Sequence, residues 1–264
     1  SNVFPDTDIK GGVVVTYHDT RKNFGAIETF TSFEQLNHLL KKILTHKDFK
    51  SLSDIVVTRT AYRLTEKMHR DHPEAVSQLS NGHAYDMSTN IFERLPQIFF
   101  DQKPEDGFDY IKILGRENNE RTYKYIRRDY VNNVKNLDKY KVILPKSNGS
   151  GAIGEVLSTP LIGNPLIGNT ESFISIGAFD CLEEANAAFK YVKSKFARCA
   201  LGILKTTQDN PPEKWKYVPL QDFTDKSDID WSKSVREIDQ QLYAKYGLSD
   251  DEIAFIEKNV KEMA

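Results

Sequence analysis

The sequence predicts an α+β fold, with mixed strands and helices, no βαβ rhythm, and a helical hairpin at the C-terminal end. Three observations carry this. Alternating runs at 108–115 and 120–126 flank Arg116-Glu-Asn-Asn119, a turn composition, and read as a β-hairpin. Leu182, Ala185, Phe189, Val192, Phe196, Cys199 and Ile203 recur in alternating steps of three and four, which predicts one amphipathic helix over 182–204. Near the end, Val235, Ile238 and Leu242 line one helix and Gly247 stands at a left-handed stop. Ser249 and Glu252 then cap a second helix that carries Ile253, Ile256, Val260 and Met263.

Taken in order, 9–19 reads as a strand: Gly11-Gly12 gives a flexible entry, and Val13, Val14, Val15 and Tyr17 supply β-propensity. Residues 21–25 are a turn and 26–30 a returning partner. Ser32 and Gln35 form a capping box for a helix whose apolar face is Leu36, Leu39, Leu40 and Ile43. A short buried strand at 53–58 leads through Arg59-Thr-Ala-Tyr-Arg63 into a helix that stops before Pro73. The β-rich middle begins at 97–100, a short helix is read at 129–134, and Val142 to Leu144 form a further strand. Pro-Leu-Ile-Gly-Asn is then written twice in succession, from Pro160 and from Pro165. A repeat this short cannot build a solenoid, and the segment 147–169 reads as a loop excursion, exposed unless a ligand orders it.

Composition bounds the function. With 264 residues the chain can bury a sizeable core. A net charge of -2 means that any nucleic-acid binding rests on local basic patches. Cys181 and Cys199 are isolated and fit a reduced, cytoplasmic setting as small buried hydrophobes. No run reaches membrane-spanning length. The opening Ser-Asn, without Met, reads as an expression scar on an excised fragment, with catalytic parts expected upstream.

Complete catalytic constellations are missing from the sequence. His69 and His72 lack a third ligand nearby and read as a polar helix end. Gly149-Ser-Gly151 lacks the Walker lysine spacing, and neither a Rossmann fingerprint nor a nucleophile elbow occurs. What remains is a set of donors suited to phosphates and base edges. Arg59 and Arg63 flank Tyr62; Lys146, Ser147 and Asn148 stand at a strand end; Arg127-Arg128 follow the hairpin. Lys190 and Arg198 lie with Ser194 opposite the apolar stripe, a ridge that reads equally as a solvated helix side.

Several segments resemble one family. Lys10-Gly-Gly-Val-Val-Val-Thr-Tyr17 is similar to the strand that closes the catalytic domain of restriction–modification DNA adenine methyltransferases. Leu144-Pro-Lys-Ser-Asn-Gly149, Tyr191-Val-Lys-Ser-Lys-Phe-Ala-Arg198, Thr207-Gln208 and Tyr217-Val-Pro-Leu-Gln-Asp-Phe223 resemble their C-terminal region. So do Ser227-Asp-Ile-Asp-Trp231 and Glu237-Ile-Asp-Gln-Gln-Leu-Tyr243. The likeness is to type II restriction enzyme–methylases with a TaqI-like specificity region.

The resemblance implies three parts: 1–30 ends the catalytic sheet or starts the recognition domain, 31–223 recognises DNA, and 224–264 is the helical hairpin. It implies double-stranded DNA and an upstream catalytic domain as partners, with S-adenosylmethionine as that domain's cofactor and none held by this fragment. Asn210-Pro-Pro-Glu213 departs from the family's Asn-Pro-Pro-Tyr in lacking the aromatic that stacks on a flipped adenine, so the fragment is not expected to methylate alone. Arg59, Tyr62 and Arg63 are assigned to base reading from the residues themselves. Lys146, Ser147 and Asn148 as base readers, and Lys190 and Arg198 as backbone contacts, follow the resemblance. The alternative is a protein-interaction module in which the tail hairpin and the 182–204 helix dock a methylase or nuclease partner.

Overall fold

The computed structural model describes residues 15–23, 25–26, 28–149 and 151–263. The fold is α+β. Residues 9–14 of the expected first strand lie outside the described residues, and 15–19 and the described part of 26–30 form no strand.

Helix α1 spans Glu34–Thr45 and buries Leu36, Leu39, Leu40 and Ile43, the face the spacing predicts. Its start differs from the expected capping box, since Phe33 is the N-cap and offers no side-chain oxygen. Asn37 instead clasps the incoming chain, accepting from the Thr31 N–H at 2.6 Å and donating to the Thr31 carbonyl at 3.0 Å. A 3-10 turn, Leu52–Ile55, shortens the next strand to β1, Val56–Val57. Three brief helices follow: α2 (Glu66–Asp71), α3 (Ala75–Gln78) and α4 (Ile91–Arg94).

The hairpin is β2 (Tyr110–Glu117) with β3 (Glu120–Arg127). Its loop is Asn118-Asn119, both at positive φ (51° and 65°), the two-residue turn whose twist matches paired strands and which Asn tolerates best after Gly. The expected helix at 129–134 is only a 3-10 turn, Arg128–Tyr130. β4 runs Tyr140–Pro145. β5 (Leu161–Gly163), β6 (Ile167–Asn169) and β7 (Phe173–Phe179) complete two sheets, ordered β1-β7-β4-β5 and β3-β2-β6.

The pentapeptide repeat is therefore not an exposed excursion. Its first copy pairs antiparallel with β4 in one sheet; its second pairs parallel with β2 in the other. Gly168 permits this, because a Cβ there would meet Ile113 at 2.9 Å and Tyr62 at 3.0 Å. Between the sheets Leu114, Ile143 and Phe173 pack with Leu161 and Ile167. Lys141, fully buried, reaches across to the Ile167 carbonyl at 2.8 Å and also holds the Leu137 carbonyl at 3.2 Å.

The expected single helix at 182–204 is two, α5 (Leu182–Lys193) and α6 (Lys195–Gly202). Ser194, extended at ψ 149°, breaks the helix and caps α6 by accepting from the Ala197 N–H at 3.1 Å. The Asp239 carboxylate accepts the Lys195 and Phe196 N–H groups at 3.0 and 2.9 Å, so the orphan donors of the new N-terminus are satisfied. Periodicity carries through the break, which is why apolar spacing alone misses it.

α7 (Val235–Lys245) and α8 (Asp250–Asn259) form the tail hairpin, each with a full capping box: Ser234 with Glu237, and Ser249 with Glu252. Ile238, Leu242, Ile256, Val260 and Met263 enter the same core as α1, α5, α6 and the four-stranded sheet. The tail thus has no separate core. A second core lies under the three-stranded sheet and the short helices, around Tyr62, Met68, Phe92 and Ile113.

Candidate nucleic-acid interface

The end of β4 leaves Lys146, Ser147 and Asn148 at the rim of the four-stranded sheet. They are held there by a crossing strand. The Lys146 carbonyl accepts the Asn210 N–H at 2.8 Å, and the Asn148 N–H donates to the Gln208 carbonyl at 2.7 Å. The Ser147 hydroxyl donates to Asp209 at 2.8 Å. Lys205, itself buried, donates to the Asn148 carbonyl at 2.7 Å and to the Thr207 carbonyl at 3.1 Å. These bonds fix the loop rather than leave it adaptable.

Beside this rim opens a cleft of about 530 Å³ whose walls include Arg59, Thr60, Lys146, Asp209 and Glu213. Arg59 enters from the chain that follows β1, so two loops distant in sequence place a guanidinium and an ammonium on one cleft. Arg59 lies half-exposed, 3.9 Å from Glu171, a distance too long for a strong pair. Lys146 forms no ion pair among the described residues. Asp209 and Glu213 also line the cleft, so it is not uniformly attractive to anions.

The remaining expected contacts divide sharply. Arg63 is half-exposed but paired with Asp86 at 3.2 Å, away from the cleft. Tyr62 is fully buried, donates its hydroxyl to Asn136 at 2.7 Å, and burial pushes its pKa up; it supports the fold and is not a base reader. Asn148 is buried as well, with its amide donating to the Val156 carbonyl at 2.8 Å and its carbonyl oxygen accepting from Ser158.

Lys190 and Arg198, the two expected backbone contacts of the helical segment, are both taken up by carbonyls. Lys190 spends its ammonium on the carbonyls of Trp231, Ser232 and Lys233 at 2.8, 3.2 and 2.8 Å. Arg198 is 2% exposed and donates to the carbonyls of Lys193, Gly154, Glu155 and Lys261. Burial lowers its pKa to about 10, still far above neutrality, so it remains a buried cation solvated by peptide carbonyls. Arg198 follows the break at Ser194 and faces the 154–155 loop and the 261 carbonyl, whereas Lys190 precedes it and is taken by the 231–233 segment. Outside the cleft, His69 contacts the Ala84 carbonyl at 2.8 Å and His72 pairs with Glu74 at 3.2 Å.

Comparison with protein-family models and with curated proteins gives no match to this chain. Among the described residues no helix is long and apolar enough to cross a membrane.

Proposed function

We propose that this chain is the DNA-recognition region of a restriction–modification adenine methyltransferase, holding duplex DNA for an upstream catalytic domain. The observation that carries this reading is the meeting of Arg59 and Lys146 on one cleft rimmed by rigidly bonded loops. The fixed backbone at Lys146 spares the cost of ordering a loop, and only the two long side chains have to order on engaging a phosphate or a base edge. In this reading Arg59, Lys146 and Ser147 face DNA, while Tyr62, Asn148, Lys190 and Arg198 build the scaffold behind them. The tail helices spend their apolar faces inside the core, which leaves the docking alternative with less surface to use.

S-adenosylmethionine belongs to the upstream domain in this proposal. The Asn-Pro-Pro-Glu segment offers no grip for a flipped adenine either: Asn210 is 1% exposed and donates its side-chain amide to the Pro145 carbonyl at 3.3 Å. Methyl transfer is accordingly assigned to no residue of this chain.

The test is duplex binding across a salt series with random-sequence competitor. Lys146→Ala and Arg59→Ala should each weaken binding and lower the slope of log affinity against log salt by about one. Unchanged slopes in both variants would sink the assignment of this cleft.

A further inference from the structure

A second cationic surface lies on the hairpin, outside the residues assigned above. Directly paired residues of an antiparallel ladder project to the same side of the sheet. In β2 and β3 these pairs include Lys112 with Tyr125, Leu114 with Tyr123, and Arg116 with Arg121. One side therefore carries three cations and two tyrosines, with the buried Leu114 between Lys112 and Arg116 packed against Ile143 and Phe173 of the other sheet, so that its open part is the hairpin end at Arg116, Arg121 and Tyr123. The Lys112 ammonium lies 5.0 Å from the centroid of the Tyr125 ring, and the Arg121 guanidinium 5.6 Å from that of Phe173. Tyr123 is 40% exposed.

No carboxylate forms an ion pair with Lys112, Arg116 or Arg121 among the described residues. Glu117, next along β2, lies on the other side and is taken by Lys124 at 3.1 Å. Like charges placed directly opposite on paired strands destabilise the pair. Arg116 and Arg121 are such a pair; burial and then the neighbouring Arg116 charge both depress the Arg121 pKa. Carbonyls position them without neutralising them. Arg116 donates to the Asn119 carbonyl at 3.0 Å; Arg121 donates to the Thr159 and Ser158 carbonyls at 2.7 and 3.1 Å. Ser158 in turn donates to Asn148, so this surface adjoins the Lys146–Ser147 rim at the same end of the four-stranded sheet.

We propose that Arg116 and Arg121, with Tyr123 beside them and Lys112 further along β2, form a second phosphate-binding site that takes the backbone of duplex DNA extending beyond the Arg59–Lys146 cleft. The inference rests on the DNA-recognition reading and extends it. A phosphate seated between the two guanidiniums accepts from both and cancels their repulsion. The free protein tolerates that repulsion at a cost in stability, and binding relieves it. The Tyr123 hydroxyl supplies a further donor at the same place. Arg121-x-Tyr123-x-Tyr125 alternates on one strand face, a signal present in the sequence but masked by reading the hairpin only for its apolar residues.

The experiment is fluorescence anisotropy with a random-sequence duplex of about 30 base pairs at salt from about 50 to 300 mM. Arg116→Gln removes one charge and only one exposed hydrogen bond. It should lower the salt slope by about one while leaving the melting temperature unchanged or raised, and Arg116→Lys should restore the slope. If Lys146→Ala weakens binding but Arg116→Gln keeps the full slope, this site is overturned and the cleft stands. Loss of slope accompanied by a lowered melting temperature, and not restored by Arg116→Lys, would mean a structural arginine and would also overturn it. Absence of salt-dependent binding by the unaltered chain would overturn the DNA reading and this site together.

Discussion

The α5–α6 segment and the strand-end surface carry the same kinds of side chain and put them to opposite uses. Along the helices Lys190 and Arg198 are consumed by seven carbonyl contacts and hold the tail and the 154–155 loop to the core. At the strand ends Lys146, Arg116 and Arg121 keep their charge free of carboxylates. The difference is one of degree: Lys190 and Arg198 bond three and four carbonyls, whereas Arg116 bonds one, Arg121 two, and Lys146 forms no ion pair among the described residues. On the strands, ladder bonds occupy most of the local carbonyls, and only turn and loop carbonyls are left for the side chains. At the helix break and the irregular 231–233 and 261 segments, carbonyls remain to be bonded, and the nearest cations bond them.

The harshest way to break this contrast is Arg198→Ala. It strips four carbonyls, one of them buried and three partly buried, of a charged donor and should cost roughly 3 kcal/mol, read as a fall in the denaturant midpoint. If Arg198 were instead a DNA contact, stability would hold and only binding would fall.

Lys141 sharpens the contrast through pH. Burial lowers its pKa to about 7 from 10.5, so between those values the unfolded chain binds the extra proton and the folded chain does not. Stability from this group therefore rises as pH goes from 7 toward 10.5, by up to about 1.4 kcal/mol per pH unit. Lys141→Met should flatten that rise in unfolding curves recorded at pH values across this window. A slope identical to that of the unaltered chain would show that Lys141 titrates normally.

The smallest effect is expected from Ser194→Ala, which removes the cap that turns α6 inward. A loss of about 1 kcal/mol, with Asp239 still holding two of the first N–H groups of α6, is the expected outcome of chemical denaturation. No loss at all would mean that Asp239 alone sets the break.

Much of the fold was legible in the sequence for a physical reason: hairpin, α1 face and tail helices follow from side-chain period, which local chemistry enforces. The break at Ser194 was not, because its stabilising partner Asp239 lies 45 residues further on, and apolar spacing runs through the break undisturbed. The Ser32–Gln35 box failed because the helix starts one residue later, with Phe33 as its N-cap, and Asn37 clasps the chain ahead of it at Thr31. Of the expected site, Arg59 and Lys146 came together as a cleft, although nothing in their local patterns required it. Tyr62, Asn148 and Arg198 are buried and Lys190 is bonded to three carbonyls, because polarity in sequence does not reveal which polar groups a side chain satisfies inside the fold.

The duplicated pentapeptide has a consequence for how the chain finds its structure. Its two copies are used one residue out of step: Leu161 begins β5, whereas the equivalent Leu166 sits at positive φ (63°) in the turn and Ile167 begins β6. The same isoleucine thus faces the helix-covered core as Ile162 and the space between sheets as Ile167. Identical words with different readings give a folding chain two competing registers five residues apart. The decision is left to the flanks, where Arg121 grips Ser158 and Thr159 before the first copy and Thr170 donates to the Leu114 carbonyl after the second. Deleting either copy would leave a sequence that reads almost unaltered and a protein whose two sheets have lost their hyphen.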